Sequence, residues 1–103
     1  MMYAFERCQL DTKRYELRNN GQICKLEPRG FDVLMYLIQH RDHVVTREEL
    51  LEHLRPGQYI TEAVLNNCIM AARKAIGDSG FWQRIIKTVH GRGYHFIAHV
   101  EEQ

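Results

Sequence analysis

The chain has few cysteines, few prolines, one tryptophan and almost no excess of either charge. Cys8, Cys24 and Cys68 are odd in number, widely spaced and free of CxxC pairing. They imply neither a disulfide framework nor a thiolate metal site, and three thiols acting as small hydrophobes suit a reducing cytoplasm. No apolar run approaches the ~18 residues of a membrane span, and Met1-Met2 does not open a secretory signal. These absences predict a soluble, cytoplasmic protein with no membrane contact by this segment. Internal repeats and low-complexity stretches are also missing. At 103 residues the chain is expected to form a single domain over 1–100 with a short tail at 101–103. That length buries roughly two thirds of the unfolded surface around one core.

Catalytic patterns are absent as well. Gly91-Arg92-Gly93 is expected to join two strands rather than open a helix, and it lacks the lysine of a phosphate-binding loop. No Ser/His/Asp order or pair of carboxylates falls where a pocket is expected, so the chain is not read as an enzyme. His95 and His99 would share one face of a strand, but with His90 they match no zinc spacing and no cysteine accompanies them. No metal or cofactor is expected.

The net charge is +1, yet the distribution is uneven. Residues 63–100 hold Arg73, Lys74, Arg84, Lys87 and Arg92 against Asp78 alone, a local +4, whereas residues 1–62 carry nine basic and ten acidic groups. Positive charge is therefore concentrated in the C-terminal third, as for a domain that meets an anionic partner there.

The first 26 residues read as four short antiparallel strands, Tyr3 to Phe5, Cys8 to Leu10, Arg14 to Leu17 and Ile23 to Leu26. Turns at Asp11-Thr12-Lys13 and Asn19-Asn20-Gly21 separate them. Three helices are predicted across 28–77. Pro28 opens the first, at about 28–41, ahead of a stripe of Phe31, Leu34, Met35 and Ile38. Thr46-Arg47-Glu48-Glu49 is a capping box with Val45 and Leu50 at the staple positions, and starts a second helix at 47 that ends before Pro56-Gly57. The third spans 61–77, with Thr61 as N-cap, Leu65, Ile69, Ala72 and Ile76 on one stripe, and Gly77 ending it. Phe81-Trp82 is expected to anchor the next segment against the core. A hairpin over 84–98 follows, its tip at Val89 to Gly93.

An N-terminal antiparallel sheet, a three-helix core and a C-terminal hairpin wing make an α+β winged helix-turn-helix, in which the third helix enters a DNA major groove and the wing touches adjacent backbone or minor groove. The chain resembles the DNA-binding effector domain of the OmpR/PhoB family of bacterial transcription regulators along essentially its whole length. Four stretches carry the resemblance in order and spacing. They are Leu26-Glu27-Pro28-Arg29-Gly30-Phe31-Asp32-Val33-Leu34, Val44-Val45-Thr46-Arg47-Glu48-Glu49-Leu50-Leu51, Ala72-Arg73-Lys74-Ala75-Ile76-Gly77-Asp78, and Ile86-Lys87-Thr88-Val89-His90-Gly91-Arg92-Gly93-Tyr94-His95-Phe96. The resemblance implies binding of double-stranded promoter DNA, often as a tandem dimer on direct repeats. It also implies a loop before the recognition helix that faces RNA polymerase, here through Arg55, Gln58 and Tyr59. This chain has no phosphoacceptor receiver domain, and it looks more like members that carry the winged helix at the N-terminus of a longer regulator. That would place the control apparatus beyond Gln103.

Met70 and Ala71 stand where family members commonly carry arginines, and His90 stands for the arginine before the first wing glycine. Base contact is therefore assigned to Asn66, Asn67 and Met70, and phosphate contact to Arg73, Lys74, Lys87 and Arg92. His90 and Arg92 are the residues for a minor groove. The alternative is a winged helix used as a protein-interaction module, since Ala63, Met70 and Ala71 make the exposed face of the third helix more apolar than that of a typical DNA reader.

Overall fold

The computed structural model describes residues 1–54 and 60–103. Four strands open the chain, β1 (Met2–Phe5), β2 (Cys8–Asp11), β3 (Glu16–Asn19) and β4 (Gln22–Ile23). Tyr3, Phe5, Cys8, Leu10 and Leu17 alternate inward from them, as a sheet covered on one face requires. Asn20 and Gly21 both take positive φ, 54° and 80°, which closes the β3–β4 hairpin as a two-residue turn and pairs Asn19 with Gln22. That turn fixes where pairing starts, so β4 lies before the expected 23–26 and then peels away toward the first helix. The third strand is also later than expected. Tyr15 sits at φ 55° in the preceding turn, where its ring stacks on Phe31 with centroids 4.4 Å apart and its hydroxyl donates to the Asp32 carboxylate.

The helices follow the predicted stripes. α1 (Pro28–Gln39) buries Phe31, Val33, Leu34, Leu37 and Ile38. β5 (Val45–Thr46) leads into α2 (Arg47–Leu54), where Thr46 Oγ1 accepts the Glu49 N–H at 3.0 Å. The Glu49 carboxylate accepts from Tyr36 Oη at 2.5 Å. α3 (Glu62–Ala75) starts under Thr61, whose hydroxyl accepts the Val64 N–H at 3.2 Å, and ends at Gly77 with φ 79°.

Beyond α3 come β6 (Ile86–Val89), β7 (Gly93–Phe96) and β8 (Glu101–Glu102). The wing is a three-stranded sheet in the order β5-β7-β6, not a bare hairpin. The strand before α2 completes it, and Gly93 permits this, because a Cβ there would lie 2.0 Å from Val45 O. The expected C-terminal tail is β8. It pairs antiparallel with β1, Tyr3 opposite Glu102 and Ala4 opposite Glu101, and the N-terminal sheet becomes five-stranded, β4-β3-β2-β1-β8. An open β1 edge offers unpaired backbone groups, and β8 satisfies them. Phe5 and Phe96 meet edge to face at 5.1 Å in the hydrophobic core cluster. Phe81 and Trp82, expected to anchor on that core, are 84% and 68% exposed and pack on each other, centroids 5.2 Å apart. Asp78 holds this segment instead.

Candidate nucleic-acid interface

Periodicity divides α3 into a buried stripe of Leu65, Cys68, Ile69, Ala72 and Arg73, continued by Ile76 at the C-cap, and an exposed side with Ala63, Asn66, Asn67, Met70, Ala71 and Lys74. Met70 is 67% exposed. Asn67 and Lys74 lie two turns apart along one edge of this side, lining the same groove, and the short side chains of Ala63 and Ala71 leave the helix backbone open to close approach.

Arg73 corrects the sequence reading. It was expected at a phosphate, but it is only 7% exposed. Its guanidinium donates to Ile86 O through Nε (3.3 Å) and Nη2 (2.9 Å), and to Thr88 Oγ1 (2.8 Å). Burial pulls its pKa below the usual arginine value, opposed by the nearby Asp78 charge. Asp78, 8% exposed, completes the arrangement. Its Oδ1 accepts the Ser79 and Arg84 N–H groups at 2.8 and 2.9 Å, and Oδ2 those of Ile85 and Ile86 at 2.8 and 2.9 Å. Burial pushes this carboxyl up, but the N–H donors of Ile86, Arg84, Ile85 and Ser79 together outweigh it, and the pKa is lowered. Ile86 thus has its C=O held by Arg73 and its N–H by Asp78. Two buried charges fasten the first wing strand to the end of α3.

A second link was not foreseen. Arg47, at the start of α2, pairs with Glu62 (Nε to Oε1, 2.9 Å) and donates through Nη2 to Asn66 Oδ1 at 2.9 Å. Its Nη1 donates to the Tyr94 hydroxyl on β7, its Cζ lies 5.7 Å from the Tyr94 ring centroid, and its own N–H reaches Arg92 O at 3.3 Å. The sequence held a signal, since an arginine in a first helical turn opposes the helix dipole and needs a carboxylate nearby. Asn66 is therefore tethered on the wing-side flank of α3. A bidentate adenine contact needs both ends of an amide, and the Oδ1 of Asn66 already accepts from Arg47, whereas Asn67 is exposed.

Lys87, His90 and Arg92 are exposed on the wing. Gly91 takes φ 72° at its tip, and the Arg92 N–H closes the turn on Val89 O at 3.0 Å. His95 is turned away from this group, its Nε2 2.9 Å from Arg41 O. Of the loop expected to face polymerase, Arg55, Gln58 and Tyr59 lie outside the described residues. Among the described residues no three His, Cys, Asp or Glu side chains converge as metal ligands, and no helix is long and apolar enough to cross a membrane.

Residues 21–96 match the family described as transcriptional regulatory protein, C terminal. The chain is 31% identical over 92 residues to YkoG of Bacillus subtilis (strain 168), an uncharacterized transcriptional regulatory protein, covering 88% of this chain and 40% of that one. It superposes on the Thermotoga maritima response regulator DrrB, an OmpR/PhoB homolog, with a TM-score of 0.83 and 33% identity, covering 92% of this chain and 43% of DrrB. The DNA-binding domain of Klebsiella pneumoniae RstA, solved in complex with the RstA box, gives a TM-score of 0.79 at 27% identity, covering 92% and 95%. The chain thus spans about two fifths of the length of YkoG and DrrB.

Proposed function

The chain belongs to the OmpR/PhoB-type family of transcriptional regulatory DNA-binding domains, a family of regulators and not of enzymes, and from that membership we propose that it binds double-stranded promoter DNA to regulate transcription. α3 is the element that enters the major groove. An α-helix with its side chains is about 10–12 Å across and the groove about 12 Å wide. Asn67 reads base edges, Met70 makes apolar contact with bases, and Lys74 meets phosphate. Lys87, His90 and Arg92 on the wing meet the neighbouring backbone or minor groove. Asn66, held by Arg47, contributes its amide N–H donors.

The observation that carries this reading is the separation of charges: Arg73 is buried in the fold, whereas Lys74, Lys87 and Arg92 are exposed on α3 and the wing. The RstA domain, similar over nearly its whole length, is solved with its own DNA box, which supports the same class of partner here. A bidentate amide contact contributes only about 1–3 kcal/mol of discrimination. We therefore infer that promoter selection uses tandem copies on repeated half-sites.

Titration of a labelled mixed-sequence duplex at several salt concentrations tests the proposal. Affinity should fall steeply with salt, and Lys74→Ala and Arg92→Ala should each weaken binding and flatten the log–log slope by about 0.9. The exposure of Met70 beside Ala63 and Ala71 favours a second reading, in which this face docks a protein. Absence of duplex binding at low salt would select it.

A further inference from the structure

The exposed side of α3 has two flanks. Glu62 and Asn66 form one, tied through Arg47 to α2 and the wing. The opposite flank borders a cavity of about 840 Å³, whose walls include Asn67 and Lys74 from α3 and Lys25, Glu27 and Arg29 from the β4–α1 connection and the start of α1. Three cations and one carboxylate therefore line a groove on the side of the recognition helix away from the wing. Lys25 and Lys74 are exposed.

A helix lying in a major groove has a phosphodiester strand on each side of it. The wing serves one. We propose that Lys25, Arg29 and Lys74 form a second phosphate-binding flank, which receives the backbone of the strand bordering the major groove on the side opposite the wing. The inference rests on the DNA reading above and extends the contact surface to the entry of α1, where sequence reasoning placed no contact. Charge complementarity and position select the occupant. The rim is cationic, it is continuous with the reading face through Asn67 and Lys74, and a polyanion bound there would run alongside α3. Glu27 is the opposing charge, and removing it should favour binding.

The test uses the same 103-residue chain and the same mixed-sequence duplex over a salt series, with Lys25→Gln, Arg29→Gln, the double variant and Glu27→Gln. Arg14→Gln is the control, since Arg14 is exposed at the β2–β3 turn of the N-terminal sheet. Each rim substitution should flatten the log–log slope by about 0.9, and the double variant by about twice that. Glu27→Gln should tighten binding, and Arg14→Gln should leave the slope unchanged. Binding that Lys74→Ala and Arg92→Ala flatten but Lys25→Gln and Arg29→Gln do not would overturn the second flank and leave the DNA reading standing. Equal flattening by Arg14→Gln would overturn it too, by showing only an effect of net charge. Absence of binding by the parent chain would remove the DNA reading and the flank with it. Far-ultraviolet circular dichroism melts of each variant set a titration temperature at which parent and variants are all folded, which ties any change in slope to the interface rather than to unfolding.

Discussion

Asp78→Asn isolates the attachment of the wing to α3, because it keeps the shape of the side chain and changes only what it can accept. The carboxylate serves four backbone N–H groups, two on each oxygen. An amide has one oxygen, so two of those donors would face an NH2 group. A buried donor left without a partner costs about 1–3 kcal/mol. The amide nitrogen is expected to turn toward Ser79 and Arg84, where water reaches, and to keep its oxygen on the buried Ile85 and Ile86 amides. That choice brings the loss to about 2–4 kcal/mol, a large share of the ~5–15 kcal/mol that holds a domain folded. With an m value near 2 kcal/mol/M, the urea midpoint should fall by about 1–2 M at unchanged m.

The pH dependence sharpens the test. The folded pKa of Asp78 is lowered from its ordinary 3.8, so its contribution is present above that value and lost as pH falls through the folded value. The gap between parent and variant should be constant from neutrality down to about pH 4 and close below it. A loss under about 0.5 kcal/mol, or a gap that persists unchanged at the lowest pH where both fold, would refute the assignment of Asp78 as the clamp on β6.

Arg73→Gln should destabilise the domain by about 2–4 kcal/mol, through the lost bonds to Ile86 O and Thr88, while the salt slope of duplex binding stays that of the parent under conditions where both are folded. A flattened slope would return Arg73 to the phosphate contacts. Gly93→Ala should cost about 2–4 kcal/mol, because its Cβ would meet Val45 O at 2.0 Å and Thr46 Cα at 2.8 Å, backbone atoms that move only if β5 leaves β7. Gly91→Ala meets nothing within 4 Å and should cost only the ~1–2 kcal/mol of a left-handed residue; equal losses in denaturant titrations would contradict this reading. His43 has its pKa raised by its hydrogen bond to Asp42 first and then by that to Glu49. Its contribution is complete below about 6.5 and disappears as pH rises through the raised folded value. Melting temperatures of the parent should therefore decline relative to His43→Gln above that pH at low salt, and parallel curves would sink the idea.

The parts of the fold that were legible in the sequence are those whose cause is local. Phe31, Leu34 and Ile38 repeat at helical spacing, Thr46 and Thr61 accept N–H groups three residues ahead, and Asn20-Gly21 closes a hairpin by its own dihedral preference. The parts that were not legible depend on partners far along the chain. β8 is a pair of glutamates with little strand propensity, and it is a strand only because the β1 edge is open beside it. β5 is two residues long and is a strand because Gly93 admits it. Phe81 and Trp82 suggested an anchor by composition, but the Asp78 clamp already holds that segment and leaves both rings outside.

Arg73 and Lys74 show why the candidate site was only half readable. They are adjacent and carry the same charge, yet a helix turns about 100° between them. Arg73 follows Ile69 by four residues and precedes Ile76 by three, which places it within the apolar stripe, so its charge was bound to be drawn into the fold. An arginine tolerates that position when its fork of donors meets a carbonyl and a hydroxyl, as Ile86 and Thr88 provide. Lys74, one residue on, falls on the solvent side with Met70 and Asn67. Helical phase therefore separates the cations that build the domain from those available to a polyanion, and a count of charge along the segment cannot. Applied to the β4–α1 connection, the same reasoning gives Lys25 weight: it is cationic, exposed, and placed across a groove from the reading helix.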